Sequence, residues 1–204
     1  KVLRKITDVL MNTEKHNAAR KAFNIALMTA QQEASVNNNN DVDLLIEIAM
    51  GLSQLEEYTS ARTTFAKALA IQQKTVKKET FIKTLITLAS AQANAGYFDA
   101  ALTTTQAIKT RSESETNYWR NEAFIAIATA QKQVGHFSGA LATAQQITDQ
   151  KQQLEIFQAI VIAQIETNEF AAALITIDQV WQLKGREWGE RVGDLLVKVG
   201  VAQA

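Results

Sequence analysis

The sequence predicts an all-α fold, a solenoid of about five helix pairs closed by a lone helix. Two observations predict it. The first is composition: there is no Pro in 204 residues and only 8 Gly. Ala, Leu, Ile, Gln, Lys and Glu dominate, helix formers apart from the β-branched Ile. The second is that the chain repeats itself. Leu88-Ala-Ser-Ala-Gln-Ala-Asn-Ala-Gly-Tyr-Phe-Asp-Ala-Ala-Leu102 can be laid over Ile127–Leu141 and Ile160–Leu174, and more loosely over Ile48–Arg62. A fifth copy ends at His16-Asn-Ala-Ala-Arg20. Counted on the aromatic or His, the repeat falls at His16, Tyr58, Phe98, Phe137 and Phe170, a period of roughly 33 to 42 residues. A period in this range marks a repeat array in which each unit touches only its neighbours.

Each unit reads as two helices and a tight turn. In the third, Ile82, Leu85, Leu88, Ala89 and Gln92 follow one another at three- and four-residue steps on one face. Gly96 then stops the helix. Phe98, Ala101, Leu102, Thr105 and Ile108 make the stripe of a second helix. The turn is too short for anything but an antiparallel neighbour. The same reading pairs 2–13 with 17–34, 42–55 with 58–73, 78–95 with 97–109, 117–134 with 137–148, and 150–167 with 170–183. A lone helix over 187–202 follows. The connection Ala34–Val42 holds four consecutive Asn, which compete for backbone hydrogen bonds, and is expected to be an exposed loop. The whole of 1–204 is expected to be one array, with units 1–34, 42–73, 78–109, 117–148, 150–183 and a partial 187–204. The pattern is cut at Lys1 and Ala204, as in a piece of a longer protein.

Charge and composition exclude several functions. Lys plus Arg and Asp plus Glu are 21 each, so the formal net charge is zero. A nucleic-acid footprint or a membrane-binding patch needs basic excess, and neither partner is expected. There is no Cys and there are two His, so no disulfide framework, thiolate chemistry, zinc site or other cofactor is expected. No apolar run approaches the roughly 20 residues of a membrane span. A cytoplasmic location is the expectation.

The residues that could carry chemistry read as structure. His16 and His136 sit at or beside the turn, units apart, so no Ser-His-Asp set assembles and no catalytic residue is named. Glu56/Glu57 and Glu113/Glu115 lie at turns and loops, and Lys74, Lys77 and Lys78 at a helix start; both groups read as solvated surface. Thr110–Asn117 reads as linker plus helix cap. Trp119 and Trp181 read as packing, as does Trp188, which stands in Gly185-Arg-Glu-Trp-Gly189 where no repeat position requires it.

The pattern resembles the tetratricopeptide repeat. The second unit carries it best, with Leu45, Ile48, Ala49, Leu52, Tyr58, Ala61, Phe65 and Ala68 at the family's positions. The third follows with Leu85, Leu88, Ala89, Gln92, Phe98 and Ala101, the fourth with Phe124, Ile127, Ala128, Gln131, Phe137 and Ala140, and the fifth with Phe157, Ile160, Val161, Gln164, Phe170 and Ala173. Small residues where the helices cross let the backbones approach, and the aromatic after the turn is expected to wedge between units. The chain departs from the family in lacking the Pro after helix B, in its longer units, and in placing Gln at 92, 131 and 164 where helix A usually carries an aromatic.

The resemblance implies a right-handed α–α superhelix whose A helices line a concave groove. The groove positions are Arg4, Asp8 and Asn12; Asp43, Glu47, Met50 and Gln54; and Lys83, Ile86, Ser90 and Asn94. Then follow Glu122, Ile125, Thr129 and Gln133, and Glu155, Gln158, Ile162 and Ile165. Asp8 and Glu47 occupy positions where co-chaperone members clamp a peptide's carboxylates with uncharged Asn, so that clamp is excluded by repulsion. A non-catalytic scaffold that binds a peptide or protein segment is expected; a ligand-sensing or regulatory module of a larger protein is the alternative. The terminal helix sets Leu195, Leu196, Val197, Val199 and Val201 against a narrow polar stripe of Arg191, Asp194 and Lys198. It is expected to be an incomplete repeat through which copies of the chain self-associate.

Overall fold

The structure, a computed structural model, describes residues 39–72, 78–184 and 189–202, with 18, 21–23, 25 and 28 ahead of them. These residues are all-helical, without a strand among them. The helices are α1 (Asn39–Gln54), α2 (Tyr58–Gln72), α3 (Lys78–Asn94), α4 (Phe98–Gln106), α5 (Glu113–Gln133), α6 (Phe137–Ala144), α7 (Gln150–Glu166), α8 (Phe170–Lys184) and α9 (Gly189–Ala202). The pair expected over 2–13 and 17–34, with His16, Arg4, Asp8 and Asn12, lies largely outside the described residues, as does Trp188; residues 18, 21–23, 25 and 28 are helical. The chain forms two compact units, Lys1–Ser112 and Glu113–Ala204. In the first, α1 packs on α2, α3 on α4, and α3 also on both α1 and α2. In the second, α5, α6 and α7 pack mutually, as do α7, α8 and α9.

Among the described residues one turn is used four times. Glu56, Gly96, Gly135 and Asn168 all take positive φ, at 61°, 83°, 75° and 62°. Each donates its N–H three residues back, to Ser53, Ala93, Lys132 and Ile165. The residue after each donates five back, to Leu52, Gln92, Gln131 and Gln164. This pair of bonds is the Schellman motif, which satisfies the last carbonyls of the outgoing helix. The carbonyl of that following residue then accepts the first bond of the next helix, from Ala61, Ala101, Ala140 and Ala173. The turn is thus built from main-chain groups, and the alanine one turn into helix B is held at the crossing. Ala49 and Ala61, Ala89 and Ala101, and Ala128 and Ala140 are buried, as are Val161 and Ala173 in the last pair.

The core of the first unit gathers Leu45, Ile48, Leu52, Phe65 and Leu88, and Phe23 from the preceding segment. The Phe23 ring lies so close over Gly51 that a Cβ there would collide with it. In the second unit Phe124, Ile127, Phe157 and Ile160 are buried.

Four expectations are corrected. The Asn run is not loop throughout, since Asn39 and Asn40 already belong to α1. Thr110–Asn117 is not linker throughout, because α5 begins at Glu113, with Glu113 and Glu115 in a first turn whose positive dipole end favours acids. Helix B of the third and fourth units is short, ending at Gln106 and Ala144. Ile108 and Ile147 lie beyond those ends yet remain buried, because the chain tightens into i→i+3 bonds, Ile108 N–H to Thr105 and Ile147 N–H to Ala144. Finally, Tyr58 is not a wedge: it is 56% exposed. The ring that packs on α2 is Tyr97, from the turn between α3 and α4, edge-on to Phe65 at 5.7 Å, with its hydroxyl donating to the Tyr58 carbonyl at 3.1 Å.

Candidate functional site

The groove positions of the A helices repeat their exposure as they repeat their sequence. Asp43, Lys83, Glu122 and Glu155 are exposed at the start of each row. Glu47 and Met50, Ile86 and Ser90, and Ile125 and Thr129 are half-buried, as are Gln158, Ile162 and Ile165. Gln54, Asn94 and Gln133 are exposed again at the end of the first three rows.

In the first unit α1 and α3 pack side by side, and their rows meet in a cleft of about 590 Å³. Six of its lining residues are predicted positions: Asp43, Glu47 and Met50 from α1, and Ile86, Ser90 and Asn94 from α3. Lys83 stands on the same helix but does not line it. The periodic reading missed Ile46, Thr87 and Ala91, which complete the wall. Ile46 and Ala91 are buried and lie one position off the row. A helix face that meets a neighbour is wider than a single line of residues, and a two-residue-wide sector would have included them. A smaller cavity of about 230 Å³ shares Met50 and Asn94 with the cleft and adds Ser53, Gln54 and Tyr58. Together they make one track from Asp43 to Gln54, roughly 16 Å along α1 at the helical rise.

The track is amphipathic. Met50 and Ile86 supply its apolar surface, and Ser90, Asn94 and Gln54 supply hydrogen-bonding groups. Two carboxylates one turn apart mark its far end. Partial desolvation at the cleft, and then the charge of Glu47, push the Asp43 carboxyl above its ordinary range. Such a surface can take an apolar side chain over Met50 and Ile86 while its polar groups meet the backbone of an extended segment.

In the second unit Glu122, Ile125, Thr129 and Gln133 lie on α5, and Gln158, Ile162 and Ile165 on α7, the helix packed beside it. The row of α7 is the more apolar of the two. Among the described residues no group of His, Cys, Asp or Glu is arranged to hold a metal ion. No helix among them is long and apolar enough to cross a membrane. His136 sits at the turn before α6, its ring against Gly139. Trp119 stacks edge-on with Tyr118 at 5.0 Å.

Polar side chains deep in the pairs hold the A helices in place. Gln92 Oε1 accepts from Thr104 Oγ1 at 2.7 Å, and Gln131 Oε1 from Thr143 Oγ1 at 2.8 Å. Buried Gln153 donates from Nε2 to the carbonyls of Ala144, Gln145 and Ile147, closing the end of α6. Asn121 binds Thr148 through that residue's N–H and hydroxyl, and Asp149 caps α7 by accepting from the Gln152 N–H. Compared with protein families, with curated proteins and with solved structures, the chain matches none.

Proposed function

We propose that this chain is a tetratricopeptide-like repeat array, the right-handed α–α superhelix its repeat register implies, and that it works as a non-catalytic scaffold for a peptide or protein segment. One observation carries the reading. Six positions chosen by repeat register alone line a single cleft between α1 and α3. A track of roughly 16 Å takes about five extended residues at 3.3 Å each. Apolar anchors flanked by polar groups suit helix or strand recognition in a groove. The cleft volume also falls in the range of small-molecule sites, roughly 300–1,000 Å³, which favours the sensing module as the second reading.

Capture of peptides from a random library by the chain, beside the Ile86→Glu and Asn94→Ala variants, separates the two. A scaffold retains peptides with the wild type and loses them with Ile86→Glu while helicity is unchanged. Equal retention by all three proteins would overturn the groove. Retention of none, with a small molecule from a metabolite library raising the melting temperature, would put the sensing module in its place.

A further inference from the structure

We infer that the segment held by the α1–α3 cleft is basic: an extended stretch with Lys or Arg two residues from an apolar side chain, the cation at the Asp43 end and the apolar group over Met50 and Ile86. This selectivity rests on the scaffold reading of the cleft.

The cleft breaks the charge balance of the chain. Basic and acidic side chains number 21 each over the whole sequence. Among the described residues that line the cleft, the charged ones are Asp43 and Glu47, one turn apart on α1. The cavity that continues the track toward Gln54 and Tyr58 is lined by uncharged side chains. Negative charge is therefore concentrated at one end of a track that is apolar in its middle and neutral at its other end.

Asp43 is exposed, within reach of an incoming group. Its carboxyl nevertheless sits above its ordinary range, through partial desolvation and then through Glu47. Both causes penalise the ionised form. A cation brought to this end offsets both, by short-range attraction in surroundings less polarisable than bulk water. An acidic segment adds a third like charge to the pair, and a phosphate-bearing partner does the same. A neutral segment leaves the repulsion as it stands.

Geometry sets the spacing. Asp43 and Met50 lie seven residues apart on α1, roughly 10 Å at the helical rise. In an extended segment the side chains at i and i+2 share one face, roughly 7 Å apart. The flexible stem of Lys or Arg spans the remainder, laying its methylenes along the cleft while the charged head reaches Asp43. Ser90 and Asn94, which line the α3 side, then lie beside the segment's backbone. With the carboxylates at one end alone, the segment is fixed in its position along the track.

Retention of three fluorescent heptapeptide pools on the immobilised chain tests this. Each pool is random except at its third and fifth residues, fixed as Arg and Leu, Gln and Leu, or Glu and Leu, in both orders. The wild type should retain the Arg pool best and the Glu pool least, the two at least about tenfold apart. That ratio should shrink in molar salt, where charges are screened within roughly 3 Å. Asp43→Lys should abolish the preference for Arg over Glu with helicity unchanged. Glu166→Lys, at an exposed site on α7, makes the same change in net charge and should leave the preference standing. Equal retention of the Arg and Glu pools by the wild type would overturn the basic partner and leave the groove in place. A preference that survives Asp43→Lys would overturn it as well. Retention of no pool would remove the groove and this selectivity together.

Discussion

Thr143 Oγ1 donates a 2.8 Å hydrogen bond to Gln131 Oε1 across the α5–α6 pair, and both side chains are buried. Thr104 and Gln92 repeat the bond at the same twelve-residue separation. Thr176 stands twelve residues after Gln164, but there Gln164 Oε1 is buried and accepts nothing among the described residues. In α1 the position is Leu52. Removing one partner of a buried bond leaves the other unsatisfied, at about 1–3 kcal/mol. Thr143→Val should therefore destabilise the chain by that amount in urea unfolding. Gln164→Leu, which removes an acceptor already without a donor, should be neutral or stabilising. A loss at Gln164 equal to that at Thr143 would show that the two sites do not differ.

The four turns make a second prediction. A non-glycine residue in the left-handed region costs about 1–2 kcal/mol, and glycine returns part of that gain as chain entropy, about 0.5–1 kcal/mol. Glu56→Gly should stabilise by roughly 0.5–1 kcal/mol as the difference. Asn168→Gly should gain less, since Asn tolerates this region. Gly96→Ala and Gly135→Ala should each lose about 1 kcal/mol. Thermal melts of the four variants check the order; a gain at Gly96 would contradict the turn geometry.

These turns were legible in the sequence, because Gly96 and Gly135 punctuate a helical pattern and alanine recurs at a fixed distance after them. The crossings were legible for the same reason. The buried glutamines read only as departures from an aromatic pattern. Their meaning lay in the threonines twelve residues on, and hydrophobic periodicity carries no signal for a polar pair that is buried. Tyr97 was hidden by its neighbour Phe98, since two adjacent aromatics leave the wedge undecided until the turn fixes their directions. Ile108 and Ile147 kept the helical spacing of buried residues after the helix itself had ended. The groove row was legible from register, but its width was not, because the number of residues that reach a neighbour depends on how closely the helices approach.

Close approach can be tested directly. Gly51 leaves no room for a Cβ beneath the Phe23 ring. Gly51→Ala should cost about 1–3 kcal/mol through displaced packing, although alanine is the better helix former. Ala140→Leu should cost a similar amount at the α5–α6 crossing. Chemical denaturation with unchanged helicity is the measurement, and a stabilised Gly51→Ala protein would mean that the ring yields freely.

Asp43 gives a pH dependence. Its carboxyl is held above the ordinary range by partial desolvation and by Glu47. Over the interval between its unfolded and its folded pKa, the folded chain keeps a proton that the unfolded chain has released. Its contribution to stability is then lost as pH rises through that interval. Asp43→Asn should be more stable than the wild type at neutral pH, and the difference should close on acidification below the unfolded value. Melting curves at several pH values check this; a difference that widens in acid would reverse the assignment.

Within each unit the described helices pack on their neighbours along the chain and on the next helix but one. The free energy that holds an end helix in place is therefore set at its own contact and owes nothing to the helices farther along. For α9, which among the described helices is seated on α7 and α8, this makes detachment a local event. The helix can come away like the last tooth of a zipper while the pair beneath it stays closed. Val192, Leu195 and Val199, which it buries there, then act as its latch.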